Sequence, residues 1–259
     1  MVGPAACSPA VDSRQDLVYS RPAGHALHLD LFTKHAATRP TPAIVFFHQG
    51  GWYQGDKSLF RPEAEHEARR GMAAACVQYR LSDEAPYPAA LEDAREAIRW
   101  LRRHAAEYGI YPARIAAAGS SSGGYLAAML AIEGDVQAGA AFYPVTDFVS
   151  FGKAAPHDRT NFLARFLGCS YSEAPGLWAR ASLLDHASGK AAPLLILHGT
   201  ADGLIPLRDS ESFVERLRQA GVQAEIVRVE GADHGFLSEI RFHDAAVLKM
   251  DEFLSNALK

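Results

Sequence analysis

Short apolar runs alternate along the chain with segments whose apolar positions recur every three or four residues. The first pattern marks strands buried on both faces and the second marks helices with one apolar stripe. Their alternation predicts an α/β fold, a mostly parallel sheet with helices on both faces. Asp16–Ser20 and Ala26–Phe32 read as a leading pair of strands, turned by Arg21–Gly24. In the second, Leu27, Leu29 and Leu31 alternate with His28 and Asp30, which predicts one wet face. Ala43–Phe47 and Met72–Gln78 are buried strands on either side of a helix over Pro62–Arg70. That helix should stop at Gly71, which can adopt the left-handed conformation of a helix end. The clearest helix is Pro88–Tyr108, with Leu91, Ala94, Ile98 and Leu101 along one stripe. Arg114–Ala118 is a strand that runs straight into Gly119–Gly124 and an alanine-rich helix ending near Ile132, and Val136–Phe142 is the next strand.

Tyr143–Lys190 breaks the alternation, scattering Phe148, Phe151, Phe162, Phe166 and Trp178 among Pro, Gly and charged residues, and reads as an inserted cap of short helices. The sheet resumes with Pro193–His198, followed by a helix over Arg208–Ala220, a strand over Ala224–Val229 and a closing helix over Leu237–Leu258. The loops that follow these strands lie where open α/β sheets place their ligand sites.

At 259 residues the chain suffices for one continuous core, and no linker or repeat divides it. The reading is a single domain over residues 16–259, with the cap at 143–190 and residues 1–15 as a flexible extension. An apolar content of 48% with a net charge of −4 excludes disorder as the main state and argues against a nucleic-acid binder. No uninterrupted apolar stretch is long enough to span a membrane. The first residues lack the basic start and apolar run of a secretion signal, so the compartment stays open between the cytoplasm and export after loss of a signal not visible here. The oligomeric state stays open too. Cys7, Cys76 and Cys169 form no disulfide scaffold; Cys76 reads as a small core residue, and a Cys7–Cys169 bridge is left open.

Gly119-Ser120-Ser121-Ser122-Gly123 fits G-x-S-x-G between a strand and a helix. A sharp turn there holds a serine clear of the sheet, and flanking glycines remove Cβ atoms that would clash. Ser121 alone has glycine two positions before and after it; Ser122 is the runner-up and Ser120 the third candidate. A serine hydroxyl needs a histidine base, and the histidine needs a carboxylate to orient it. His234, in Asp233-His234-Gly235-Phe236, follows the last strand, and Asp202, in His198-Gly199-Thr200-Ala201-Asp202, follows the strand before it. Asp233 would have to fold back on its neighbour, and Asp209 has a sufficient role at a helix start. Directly after the first buried strand comes His48-Gln49-Gly50-Gly51-Trp52. Its glycines let backbone N–H groups approach a developing oxyanion, so Gly50, Gly51 and the N–H of Ser122 are the candidate donors. His48 reads as a brace for this loop, and Gln49, Trp52, Tyr53 and Tyr143 are candidate substrate contacts. No metal-binding or nucleotide-binding pattern appears, so neither a metal nor a cofactor is expected.

These motifs resemble the α/β-hydrolase superfamily, and within it the hormone-sensitive-lipase-like esterases and the acetyl-xylan/feruloyl esterase group. The match runs through His48–Trp52, Tyr79–Ser82, Tyr87–Ala90 with Asp93, Gly119–Gly124, His198–Asp202 and Asp233–Phe236. The resemblance implies an α/β-hydrolase fold with a serine carboxylesterase site acting on short-chain or carbohydrate-linked esters through an acyl-enzyme. Gln49 departs from the family's usual His-Gly-Gly-Gly-Trp, and Ser120 and Ser122 depart from its usual Gly-Glu-Ser-Ala-Gly. Two other readings stay open: an arylformamidase, and a non-catalytic binding protein on the same fold.

Overall fold

A computed structural model describes residues 10–259. Eight strands form one sheet in the order β1-β2-β4-β3-β5-β6-β7-β8. They are β1 (Val11–Ser20), β2 (Leu27–Lys34), β3 (Thr41–Phe47), β4 (Ala73–Val77), β5 (Ile110–Ser120), β6 (Ala138–Phe142), β7 (Leu194–Gly199) and β8 (Ala224–Val229). Only β1 against β2 and β2 against β4 are antiparallel; all other neighbours run parallel. The helices are α1 (Arg61–Arg70), α2 (Ala89–Arg103), α3 (Ser122–Ile132), α4 (Phe148–Ala154), α5 (Phe162–Leu167), α6 (Pro175–Ala181), α7 (Leu207–Gln219) and α8 (Ile240–Ala257).

The centre of the sheet is built from small residues, Ala73–Cys76 on β4, Ala116–Ala118 on β5 and Ala138–Ala141 on β6, all buried. Small side chains let the helices approach closely from both sides. The core on one face gathers side chains of α2, α3, α7 and the cap. The other gathers α1 and α8. Every residue of α3 is buried, as expected for a helix apolar all round. The α2 stripe of Leu91, Ala94, Ile98 and Leu101 is fully packed. The short helices α4, α5 and α6 occupy the stretch between β6 and β7 read as a cap.

Two boundaries and the burial of one strand differ from the sequence reading for local reasons, and β5 starts at Ile110, ahead of the expected Arg114. The fold begins at Val11 rather than residue 16, because Val11–Arg14 pair with Leu31–Lys34 of β2. The proposed extension therefore shrinks to residues outside those described, and the Cys7–Cys169 question lies there with Cys7. The second difference is on β2, where Asp30 of the expected wet face is buried although His28 beside it is half-exposed. Lys57 Nζ at 2.7 Å, from the turn before α1, and Arg61 Nη2 at 3.4 Å, from its start, pair with the Asp30 carboxylate. Third, α2 ends at Arg103 instead of Tyr108, where the His104 imidazole lies 2.9 Å from the Trp100 carbonyl oxygen and stacks on its indole.

Candidate active site

The turn from β5 into α3 puts Ser121 at φ 50°, ψ −116°, a backbone conformation rare outside glycine. The neighbouring glycines make that turn possible. A Cβ on Gly119 would lie 2.7 Å from the Phe47 carbonyl oxygen, and one on Gly123 would lie 2.5 Å from that of His48. The elbow therefore passes against the end of β3, bringing the serine beside the loop that follows β3.

The structure brings together the three side chains selected from the sequence. His234 Nε2 lies 3.0 Å from Ser121 Oγ, and His234 Nδ1 lies 2.9 Å from Asp202 Oδ2. With the Nδ1 proton donated to Asp202, Nε2 is free to accept from the serine hydroxyl. The Asp202 side chain is wholly buried. Its Oδ1 accepts from the Leu204 and Ile205 amides at 2.9 and 2.8 Å, while Oδ2 also accepts from His198 Nε2 at 3.1 Å. Burial opposes charge on Asp202, but the hydrogen bonds from His198, His234 and the Ile205 amide hold its carboxyl well below the usual carboxylate range. The rival acids face elsewhere. Asp233 Oδ1 accepts from the Gly203 and His234 backbone amides at 3.0 and 2.7 Å, and Asp209 sits in the first turn of α7.

Gly50 and Gly51 adopt φ 131° and 61°, and no acceptor among the described residues takes either N–H. Both line a cavity of about 420 Å³ together with Gln49, Tyr53, Phe162, Ser121 and His234. Ser122 is buried at the first position of α3, where helix N–H groups lack intrahelical partners. His48 is buried below the loop, stacked on Tyr79 at 4.3 Å, with Nδ1 2.8 Å from the Gln49 carbonyl oxygen. Burial lowers its pKa, which suits a neutral brace.

The four candidate contacts separate. Tyr53 lines the cavity, with the Arg165 guanidinium 4.4 Å from its ring centroid, and Gln49 lines it too. Trp52 does not: it is fully buried and stacks on Phe166 at 4.1 Å, with Tyr125 edge-on at 5.2 Å. Its φ of 61° turns the indole inward, so it ties the loop to the cap. Tyr143 is buried behind His234, edge-on to the imidazole at 4.8 Å, and donates its hydroxyl to Gln49 Oε1 at 3.1 Å. It lines a second, smaller cavity instead of the main one.

Sequence reasoning missed His198, although its spacing from Asp202 was in view. Its ring is fully buried, with Nδ1 2.8 Å from Ser210 Oγ and Nε2 3.0 Å from the Ile205 carbonyl oxygen. It approaches the same Asp202 oxygen as His234 and so helps hold the carboxylate in place.

One group of potential metal ligands occurs among the described residues, His66, Glu67 and Asp251, with ligand atoms within 4.8 Å of one another. It lies between α1 and α8 rather than in the cleft, and the Arg70 Nε approaches Asp251 to 3.4 Å. Burial first, then the neighbouring Asp251, pushes the Glu67 carboxyl well up, which favours its protonated form. An acid whose pKa rises on folding binds more protons folded than unfolded, so stability falls as pH climbs from the ordinary carboxylate range to the raised value. Glu67→Gln removes that slope. The variant's melting temperature should exceed the wild type's by more in mild alkali than in mild acid. Parallel curves of melting temperature against pH would contradict this.

A serine, an imidazole and a carboxylate in one hydrogen-bonded line at the end of a parallel sheet define the class, a serine hydrolase on the α/β-hydrolase fold. Residues 29–217 match the family model described as BD-FAE, and the chain belongs to that family. It is 31% identical over 236 residues to carboxylic ester hydrolase LipN of Mycobacterium tuberculosis, covering 83% of this chain and 62% of that protein. With carboxylesterase NlhH of the same organism it shares 33% over 227 residues, covering 76% and 67%. The chain spans about half to two-thirds of the length of the curated relatives it matches. Esterase 2 of Thermogutta terrifontis, phosphonylated by cyclosarin, superposes with a TM-score of 0.80 at 30% identity over 96% of this chain and 95% of that one. No described helix is long and apolar enough to cross a membrane.

Proposed function

We propose that the protein is a serine carboxylesterase that cleaves short-chain or carbohydrate-linked esters, of acetyl or feruloyl type, through an acyl-enzyme. The observation that carries this reading is the Ser121–His234–Asp202 line, at 3.0 and 2.9 Å, opening on a cavity rimmed by the unpaired N–H groups of Gly50 and Gly51. Ser121 Oγ attacks the ester carbonyl carbon while His234 Nε2 takes its proton. Asp202 keeps the imidazole oriented and balances its positive charge. The carbonyl oxygen becomes an oxyanion held by the N–H groups of Gly50, Gly51 and Ser122. Collapse breaks the ester C–O bond, and His234 returns the proton to the leaving alcohol. Water then adds to the acyl-enzyme by the same route, releasing the acid and restoring Ser121. Phosphonylation of the Thermogutta esterase by cyclosarin is in keeping with a nucleophilic mechanism on this fold.

The cavity, about 420 Å³ and open to solvent through Leu59 and Leu204, suits small esters better than long acyl chains. Acetyl, butyryl and octanoyl p-nitrophenyl esters, acetylated xylan, feruloyl sugars and N-formyl-kynurenine, assayed side by side, test the reading. It predicts the highest kcat/KM on acetyl or butyryl esters or on the sugar esters. Faster turnover of N-formyl-kynurenine would make the protein an arylformamidase. Because His234 must be neutral to accept a proton and Asp202 is already ionised, kcat/KM should rise with pH through a single ionisation. A second acid limb would contradict that assignment.

Gln49 gives a further test. Its side chain stands between the two cavities, pinned by the Tyr143 hydroxyl. Gln49→Gly would open one into the other and shift preference toward the bulkier ester. A pocket contact of about 1–3 kcal/mol moves the butyrate-to-acetate ratio of kcat/KM by roughly 10–200-fold. An unchanged ratio would remove Gln49 from the specificity determinants.

A further inference from the structure

The smaller cavity, about 140 Å³, abuts the reacting residues from behind and has no part in the steps above. Ser120, immediately before the nucleophile, lines it, as does Tyr143, whose ring packs edge-on against His234. Gln49 and Leu59 line both cavities and so form the partition between them. Glu63, in the first turn of α1, closes the far side and is only 6% exposed.

The two oxygens of Glu63 are treated differently. Oε1 accepts from His243 Nε2 of α8 at 3.0 Å. Oε2 is buried and has no hydrogen-bond partner. An acid in the first turn of a helix complements the helix dipole, and the His243 contact clamps α1 to α8. Both facts account for the presence of Glu63 and for Oε1. Neither accounts for a second carboxylate oxygen left without a donor in a cavity wall, which costs free energy until something supplies one. A carboxylate can only accept, so the missing group is a donor. An ammonium would call for several acceptors converging on it, and the Gln49 side-chain oxygen at the partition already accepts from the Tyr143 hydroxyl. A hydroxyl needs one acceptor and fits the small volume.

We propose that this cavity is a substrate subsite that receives a hydroxyl-bearing part of the ester, with Glu63 Oε2 as its hydrogen-bond acceptor. The proposal rests on the esterase reading of Ser121 and makes the preferred substrates hydroxylated esters. The hydroxyl can sit on the acyl side or on the alcohol side, and two matched pairs separate the sources. One pair is p-nitrophenyl butyrate and p-nitrophenyl β-hydroxybutyrate; the other is ethyl acetate and ethylene glycol monoacetate. In one pair the wild-type enzyme should favour the hydroxylated ester in kcat/KM by about tenfold or more, the scale of one hydrogen bond to a charged group. Glu63→Met should bring that ratio close to one. Glu63→Gln, whose single oxygen is taken by His243 and which turns an NH₂ to the cavity in place of the charged acceptor, should lower the ratio while keeping the shape. Active-site concentration in each variant is fixed by titration with a fluorophosphonate, and the ratio is compared rather than the absolute rate. Equal kcat/KM within both pairs, in wild-type enzyme that labels and turns over the plain esters, overturns the subsite and leaves the esterase reading standing. So does a hydroxyl preference that survives in Glu63→Met, or, if that variant does not fold, one undiminished in Glu63→Gln. Absence of both labelling and turnover of the plain esters in the wild type overturns the esterase reading, and the subsite falls with it.

Discussion

Ser121→Ala should reduce ester hydrolysis by about 10⁶-fold while leaving the fold intact, the loss seen when a serine hydrolase gives up its nucleophile and keeps only its binding groups. The size of the effect follows from the elbow. Ser121 is held at φ 50° beside Gly119 and Gly123, and its Oγ is 3.0 Å from His234 Nε2. Ser120 is buried beneath the turn and lines the rear cavity, and Ser122 Oγ is buried without a hydrogen-bond partner. Neither is in hydrogen-bond contact with the histidine, so neither can substitute. Because alanine relieves no packed contact of the hydroxyl, the melting temperature should hold or rise slightly. Residual activity above about one per cent would point to another nucleophile.

Asp202→Asn should lower kcat by about 10⁴-fold, since an amide in place of the carboxylate favours the wrong imidazole tautomer. The surroundings strengthen this expectation. Asp202 Oδ2 accepts from two imidazoles, and Oδ1 from two backbone amides, so the carboxylate is stabilised as an anion from four directions. An asparagine can satisfy the amides with its oxygen only by aiming its NH₂ at both histidines. Asp233→Asn should cost far less, because Asp233 Oδ1 accepts backbone N–H groups from Gly203 and His234 and an amide oxygen can do the same. Activity measured on folded, active-site-titrated variants decides between them. A larger loss in Asp233→Asn than in Asp202→Asn would reassign the acid.

The outline of the fold could be read from the chain because its determinants are local. Continuous apolar runs mark β3 to β7, and Gly71 takes φ 100° where the pattern stops α1. Much of the site was legible for a related reason. Ser121, Asp202 and His234 each follow a strand of one parallel sheet, so their order in the chain already places them at the same edge. What could not be read depends on contacts between distant segments. Asp30 looked wet until Lys57, from the turn before α1, and Arg61, at its start, arrived beside it. Trp52 looked like a cleft residue because its inward turn depends on a positive φ and on Phe166 of the cap. Glu63 draws its partner His243 from 180 residues further along the chain. His198 is the intermediate case, four residues from Asp202 but given its role only by Ser210 and Ile205.

The most direct measurement of the central claim is the site of covalent labelling. The protein, treated with a fluorophosphonate and digested, is examined by mass spectrometry for the modified residue. A hydroxyl activated by His234 and facing the free N–H groups of Gly50 and Gly51 predicts one adduct, on Ser121, that forms in step with loss of ester hydrolysis and is absent in Ser121→Ala. An adduct on Ser120 or Ser122, or full loss of hydrolysis with no adduct on any serine, would contradict it.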